Sequence, residues 1–131
     1  MKAVTLQTSG ENRGHYVPGM IAGGMLYISG QLSLDPVTRK VAEGGIREHM
    51  RQALANLDAV LRAAGVTRRD VVQCRVYIAG IGGWDDANDE YRNFFGDHKP
   101  ARIIVSTQEL HFGCLVEIEA VAECAQKGAE A

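Results

Sequence analysis

Between Gly45 and Ala64 the apolar residues Ile46, Met50, Ala53, Leu54, Leu57, Val60, Leu61 and Ala64 recur in steps of three and four. That spacing puts one apolar stripe on a helix of about five turns. Arg47, Glu48, Arg51, Asp58 and Arg62 fall on the other face, and Gly65 stands where a helix ends. A second helix is expected over Trp84–Phe95, with Trp84, Asn88, Tyr91 and Phe95 along one stripe. Strands are expected where the period drops to two or a short apolar run stands between glycines. These are residues 3–7, 24–30, 71–78, 101–107 and 115–124. In the third of them Val72, Cys74, Val76 and Ile78 are expected on one face, and Val71, Gln73, Arg75 and Tyr77 on the other.

The resulting order is strand, strand, helix, strand, helix, strand, strand. Two helices of this length cover one face of a mixed sheet. Yet Leu26, Ile28, Val71, Tyr77, Leu115 and Val121 put apolar residues on both sides of the strands. One helical layer cannot cover both sides, so self-association is expected.

Composition narrows the class. The chain has 131 residues, 46% hydrophobic and 23% charged. That fits one globular domain over 1–125, with a small polar tail at 126–131 expected to fray. Fourteen Lys and Arg against sixteen Asp and Glu give a net charge of −2, no global excess for binding phosphate. Nucleic acid is therefore not an expected partner, nor is a membrane. The first ten residues lack the pattern of a signal peptide, and no apolar run reaches bilayer length. Cys74, Cys114 and Cys124 show no Cys-x-x-Cys spacing and are expected as reduced, mostly buried thiols, consistent with a cytoplasmic protein.

Familiar catalytic patterns are missing. His15, His49, His98 and His111 have no metal-ligand spacing, and there is no Gly-x-Ser-x-Gly elbow or phosphate loop. No metal or cofactor is expected. Met20 and Met25 are expected as core filling. Arg102 follows Lys99-Pro100-Ala101 just inside an apolar strand. It reads either as a solvated strand end or as an anion-binding fork matched to a carboxylate. Glu117 is either an outward residue beside Glu119 and Glu123 or a group that holds and polarises water. Tyr16 lies in the glycine-bracketed loop 14–19, and Ser29-Gly30-Gln31 ends a strand where bare backbone lets a ligand approach. His15 and His111 read as surface loop residues.

Taken together, several segments resemble the RidA family, also called YjgF, of reactive imine and enamine deaminases. They are Tyr16 after its loop, Leu26 through Gln31 with Asp35-Pro36, Gln52 through Leu57, and Ala63-Ala64-Gly65. Asn88 through Phe95, Pro100-Ala101-Arg102, and Val116 through Ala122 complete the set. The resemblance runs from about Gly14 to Glu123. It implies a chorismate-mutase-like α+β fold: a mixed sheet with two helices on one face. It further implies a homotrimer around a central barrel, with sites between subunits.

By resemblance, Arg102 binds the substrate carboxylate, Glu117 positions or activates water, and Tyr16 belongs to the site loop. Ser29 and Gly30 shape the pocket, Asn88 supports it, and backbone near Ile104 adds hydrogen bonds. The implied substrate is a small imino or enamino acid, hydrolysed to a 2-keto acid and ammonia. His15 stands where the family often has Pro, and Ile104 where many members have Cys. Two other readings stay open: a non-catalytic module binding small carboxylates, and an endoribonuclease.

Overall fold

The computed structural model describes residues 1–6 and 14–125. The expected tail lies outside them. Six strands form one mixed sheet: β1 (Lys2–Val4), β2 (Gly19–Ala22), β3 (Met25–Leu32), β4 (Val71–Ala79), β5 (Ala101–Thr107) and β6 (Val116–Glu123). Their order is β1-β2-β3-β6-β4-β5. Two helices, α1 (Ile46–Ala63) and α2 (Trp84–Phe95), complete the expected α+β architecture.

The sheet's topology puts both helices on one face. β3 and β4 each pair antiparallel with β6, so they run parallel to each other, and β4 pairs parallel with β5. Each helix therefore links two parallel strands. Both crossovers step the same way across the sheet, from β3 to β4 and from β4 to β5. Right-handed crossovers in one direction land on one face.

The core sits between that face and the helices. Leu26, Met50, Leu57, Leu61, Val76, Ile78, Val116 and Ile118 are fully buried in it. α2 is pinned to α1 by charge as well as by packing. Buried Glu90 accepts from Arg51 Nε at 3.0 Å and from Arg51 Nη2 at 2.9 Å, and Arg47 adds a third contact. These arginine hydrogen bonds hold the Glu90 carboxyl below its ordinary pKa.

Five expectations are corrected. β2 was not foreseen, because a four-residue run that begins with glycine is too short to show a period. β1 spans Lys2–Val4, Thr5 and Leu6 belong to no strand, and residue 7 of the expected span lies outside the described residues. Val72 faces solvent, and Val71 takes its place in the core. A bulge causes the switch: two steps on β4, Val71 to Gln73, match one step on β6, Ala122 to Val121. Asp58 is buried, not solvated, because Arg62 at 2.7 Å and Arg68 at 3.7 Å cover its carboxylate. Met20 and Met25 lie outside the buried core. Met20 pairs with Tyr27 on the uncovered face.

That uncovered face is apolar in places, as expected. Tyr27 and Ile103 are about half exposed on it, at 49% and 50%. No helix of the described residues is long and apolar enough to cross a membrane.

One buried histidine ties the sheet to the loop before α1. His49 Nδ1 accepts the Leu115 N–H at 3.1 Å and lies 2.7 Å from Ser33 Oγ. Accepting at Nδ1 requires a neutral ring, so the Ser33 hydroxyl donates to it. Burial pushes the His49 pKa below its ordinary value, against a backbone bond at Ala42 that raises it. In the unfolded chain the ring takes a proton near pH 6.5. As pH falls below that value the unfolded state binds protons first, so this contribution to stability is lost through the lower folded pKa. Urea midpoints measured from pH 8 to pH 5 should fall toward acid, and fall less steeply in His49→Asn. Equal slopes would show that His49 does not carry the effect.

Candidate active site

The candidate residues form two groups on opposite faces of the sheet. Arg102 leads the first. It pairs with Cys74 across β4 and β5, so it shares the helix face with Cys74, Val76 and Ile78. β5 is an edge strand, which leaves the Arg102 guanidinium open to solvent beside α2. Asn88 Oδ1 accepts from Arg102 Nη1 at 2.7 Å. The guanidinium carbon lies 5.0 Å from the Tyr91 ring and 5.5 Å from the Trp84 ring, within cation–π reach. One nitrogen is held by an amide and the planar group rests near two aromatic faces. Among the described residues its other N–H groups have no hydrogen-bond partner.

Trp84 and Tyr91 were not singled out as site residues. Their signal was the stripe they share with Asn88, four and three residues away on α2. Beneath them, burial pushes the Cys74 thiol up to about 11, too high for a thiolate nucleophile at neutral pH. Burial likewise raises Tyr91. Ile104, two residues past Arg102, packs its side chain against the core. Residues of β5 present alternate backbone groups to the free edge, so backbone near Ile104 is open to a ligand.

Glu117 leads the second group. It pairs with Tyr77 and with Leu32, on the face that carries no helices. Burial raises its pKa, the nearby Glu119 charge raises it further, and His111 acts the other way. Glu119 itself accepts the Tyr77 hydroxyl at 2.5 Å, with Arg75 3.8 Å away. Gly30 makes room for Glu117. A β-carbon at position 30 would lie 2.5 Å from Glu117 Oε2. The strand is bulged there: Ile28 pairs with Ala120 but Gln31 with Ile118.

Ser29, in the same bulge, fastens the loop that carries Tyr16. Its Oγ donates to Val17 O at 2.6 Å, and its N–H to Pro18 O at 2.9 Å. Tyr16 is 52% exposed. Glu117, Gly30, Ser29 and the Tyr16 loop therefore gather at one end of β3 and β6.

The two groups do not meet within one chain. Arg102 is level with Cys74 and Glu117 with Tyr77, three residues apart along β4 and on strands flanking it. That is about 10 Å along the strands and about 10 Å across them, with the side chains pointing to opposite faces. Two surface hollows, of about 440 and 370 Å³, contain none of the candidate residues. Among the described residues no group of His, Cys, Asp and Glu could hold a metal ion.

Comparison with known proteins shows the family. The sequence profile of the family Endoribonuclease L-PSP matches residues 7–124. The chain belongs to this family, the one also known as RidA or YjgF. A bovine relative (Bos taurus) named 2-iminobutanoate/2-iminopropanoate deaminase is 38% identical over 83% of this chain and 80% of its own length. Other curated relatives carry only a family name, RutC family protein. The crystal structure of the E. coli YjgF gene product is 31% identical, with a TM-score of 0.86 over 94% of this chain and 98% of that one. E. coli TdcF, crystallised with bound serine, is 29% identical with the same TM-score and the same coverage.

Gly30→Ala tests the second group. The added methyl group forces the Glu117 carboxylate to rotate away, at a stability change within about 1 kcal/mol because only a flexible side-chain end must move. A crystal structure and a thermal melt of the variant check both parts. An unmoved carboxylate would refute the close approach.

Proposed function

We propose that this RidA-family chain is an imine deaminase that hydrolyses small 2-imino acids, and enamines such as 2-aminoacrylate that tautomerise to them, to 2-keto acids and ammonia. The observation that carries the reading is the Arg102 guanidinium, held by Asn88 over two aromatic rings with donors to spare. A planar, pre-oriented fork of this kind suits a carboxylate. Fixing the carboxylate fixes the adjacent C=N carbon for attack, which removes much of the orientational entropy of the reaction.

Glu117 supplies the complementary part. Its carboxylate accepts a proton from water as the water oxygen bonds to the imine carbon and the C=N π electrons move to nitrogen. The resulting carbinolamine takes that proton back on nitrogen. Glu117 then relays the hydroxyl proton to the same nitrogen as the C–N bond breaks, so ammonia leaves and the hydroxyl carbon becomes the keto carbon. A carboxyl with a raised pKa is suited to give a proton back as well as to take it. Tyr16 and Ser29 border this centre, Gly30 keeps it open, and backbone near Ile104 assists Arg102.

About 14 Å and opposite faces separate Arg102 from Glu117 in one chain, too far for one small imino acid. The complete site therefore draws Arg102 from one copy and Glu117 from another, as in a homotrimer that buries the uncovered faces. Serine in TdcF is itself a small carboxylate ligand, so a chain that binds without turnover is the second reading. The overall charge of −2 favours neither RNA binding nor RNA cleavage.

Keto-acid formation from enzymatically generated imino acids tests the reading. Arg102→Ala should lower kcat/KM about 100-fold or more, since it removes a charged bidentate contact and the orientation it provides. Asn88→Ala should cost less, mainly in KM. Binding of small carboxylates with no rate enhancement in the wild-type protein would establish the second reading instead.

Mixing tests the shared site. Arg102→Ala and Glu117→Gln proteins, each inactive alone, should regain about a quarter of wild-type activity when their subunits are randomly reassorted in a closed ring. No recovery from verified mixed oligomers would contradict a site built from two copies. The pH profile gives a further check. Activity that needs the Glu117 carboxylate falls as pH drops through its raised pKa, so the acid limb of the wild-type profile should lie above the ordinary glutamate value, and a limb at or below that value would contradict this role.

A further inference from the structure

The turn between β5 and β6 holds an aromatic pair that the proposed chemistry does not use. His111 and Phe112 stack with ring centroids 3.7 Å apart and planes 6° from parallel. Phe112 is 55% exposed. Its backbone lies in the left-handed region, at φ 63° and ψ 12°. That conformation is unfavourable for a residue with a β-carbon, and such outliers persist where the surroundings enforce them.

Here the surroundings are rigid. Gly113 N–H bonds Leu110 O and Cys114 N–H bonds His111 O, each at 3.2 Å. Cys114 is buried, and Leu115 N–H is fixed by the His49 ring. A strained backbone thus holds an apolar ring more than half out in solvent. Its position is informative. His111 lies within electrostatic reach of Glu117, and the turn leads into β6 five residues before that carboxylate. Glu117 also lies against the Gly30 bulge, where Ser29 fastens the Tyr16 loop. Glu117 therefore has in its neighbourhood both the Gly30 bulge, to which the Tyr16 loop is fastened, and a rigid aromatic pair stacked on one ring face with Phe112 more than half exposed.

We propose that the His111–Phe112 stack is the side-chain subsite of the Glu117 centre and selects imino acids with a planar aromatic side chain. A flat, preformed ring favours offset or edge-on packing by another ring. It costs little ordering on binding, since its backbone is already fixed. The proposal rests on Glu117 being the water-handling group.

The test compares imino acids generated in place from phenylalanine and from alanine by an amino-acid oxidase. The wild-type kcat/KM ratio should favour the phenylalanine-derived imine by about tenfold, a common scale for one apolar contact. Phe112→Gly should bring the ratio near one. Glycine adopts the left-handed conformation freely, so this variant keeps the turn while losing the ring. In parallel, NMR titration with phenylpyruvate and with pyruvate reads the same preference as a ratio of affinities, independent of turnover. If the wild-type protein hydrolyses neither imine but phenylpyruvate binds more tightly and Phe112→Gly removes that preference, the subsite stands and the deaminase reading falls. An equal ratio in wild type and Phe112→Gly overturns the subsite. So does a change of oligomeric mass in Phe112→Gly with the ratio unchanged, which would make the ring a contact between copies.

Discussion

Side chains on a strand alternate between two faces, and this chain has helices for only one. The rest of the molecule follows from that inequality. The two crossovers of like hand put α1 and α2 together over the face built from Leu26, Val76, Ile78, Val116 and Ile118. What faces α2 becomes structural or is braced by α2. What faces away must be polar, functional or covered by another molecule. Arg102 is braced by Asn88 and α2's aromatic rings. Glu117 and the Tyr77–Glu119 pair occupy the other side.

α2 matters because the Arg102 clamp is only as well aimed as the helix that supports it. The Glu90 carboxylate, buried and gripped by Arg47 and Arg51, fixes how α2 lies on α1. Breaking such a pair by removing one partner is costly because a buried charge is left behind. An ion pair on one side of α2 thus sets the position of an amide and two rings on its other side. On the uncovered face the equivalent support comes from backbone: the Ser29–Gly30 bulge bends β3, anchors the Tyr16 loop and clears space for Glu117.

Much of this was legible in the sequence. The two helices lie nearly where the three- and four-residue steps put them, and β5 and β6 match their expected spans to within a residue or so. The family and its α+β sheet followed from the order of segments around Arg102 and Glu117. What stayed hidden had specific causes. Val72 looked inward because alternation assumes an unbroken ladder, and a bulge is written in the pairing of two strands, not in either one. Asp58 looked solvated because its partner Arg68 comes from beyond the helix. The division of the site could not be read at all. Residue spacing says that Arg102 and Glu117 are fifteen positions apart, but only strand register says that they face opposite ways.

The position of Arg102 on β5 has one more consequence. β5 is an outermost strand, and such a strand presents unpaired N–H and C=O groups to any passing chain. Its residues Ile103, Ile104 and Val105 form the kind of apolar run that recruits another strand. Natural sheets defend such borders with charge, and here Lys99 and Arg102 stand at its head. The same guanidinium whose fork we propose for a carboxylate also puts a charge at this border. The proposed ligand contact and the edge charge thereby fall on one side chain, which restricts what evolution or an engineer can place there.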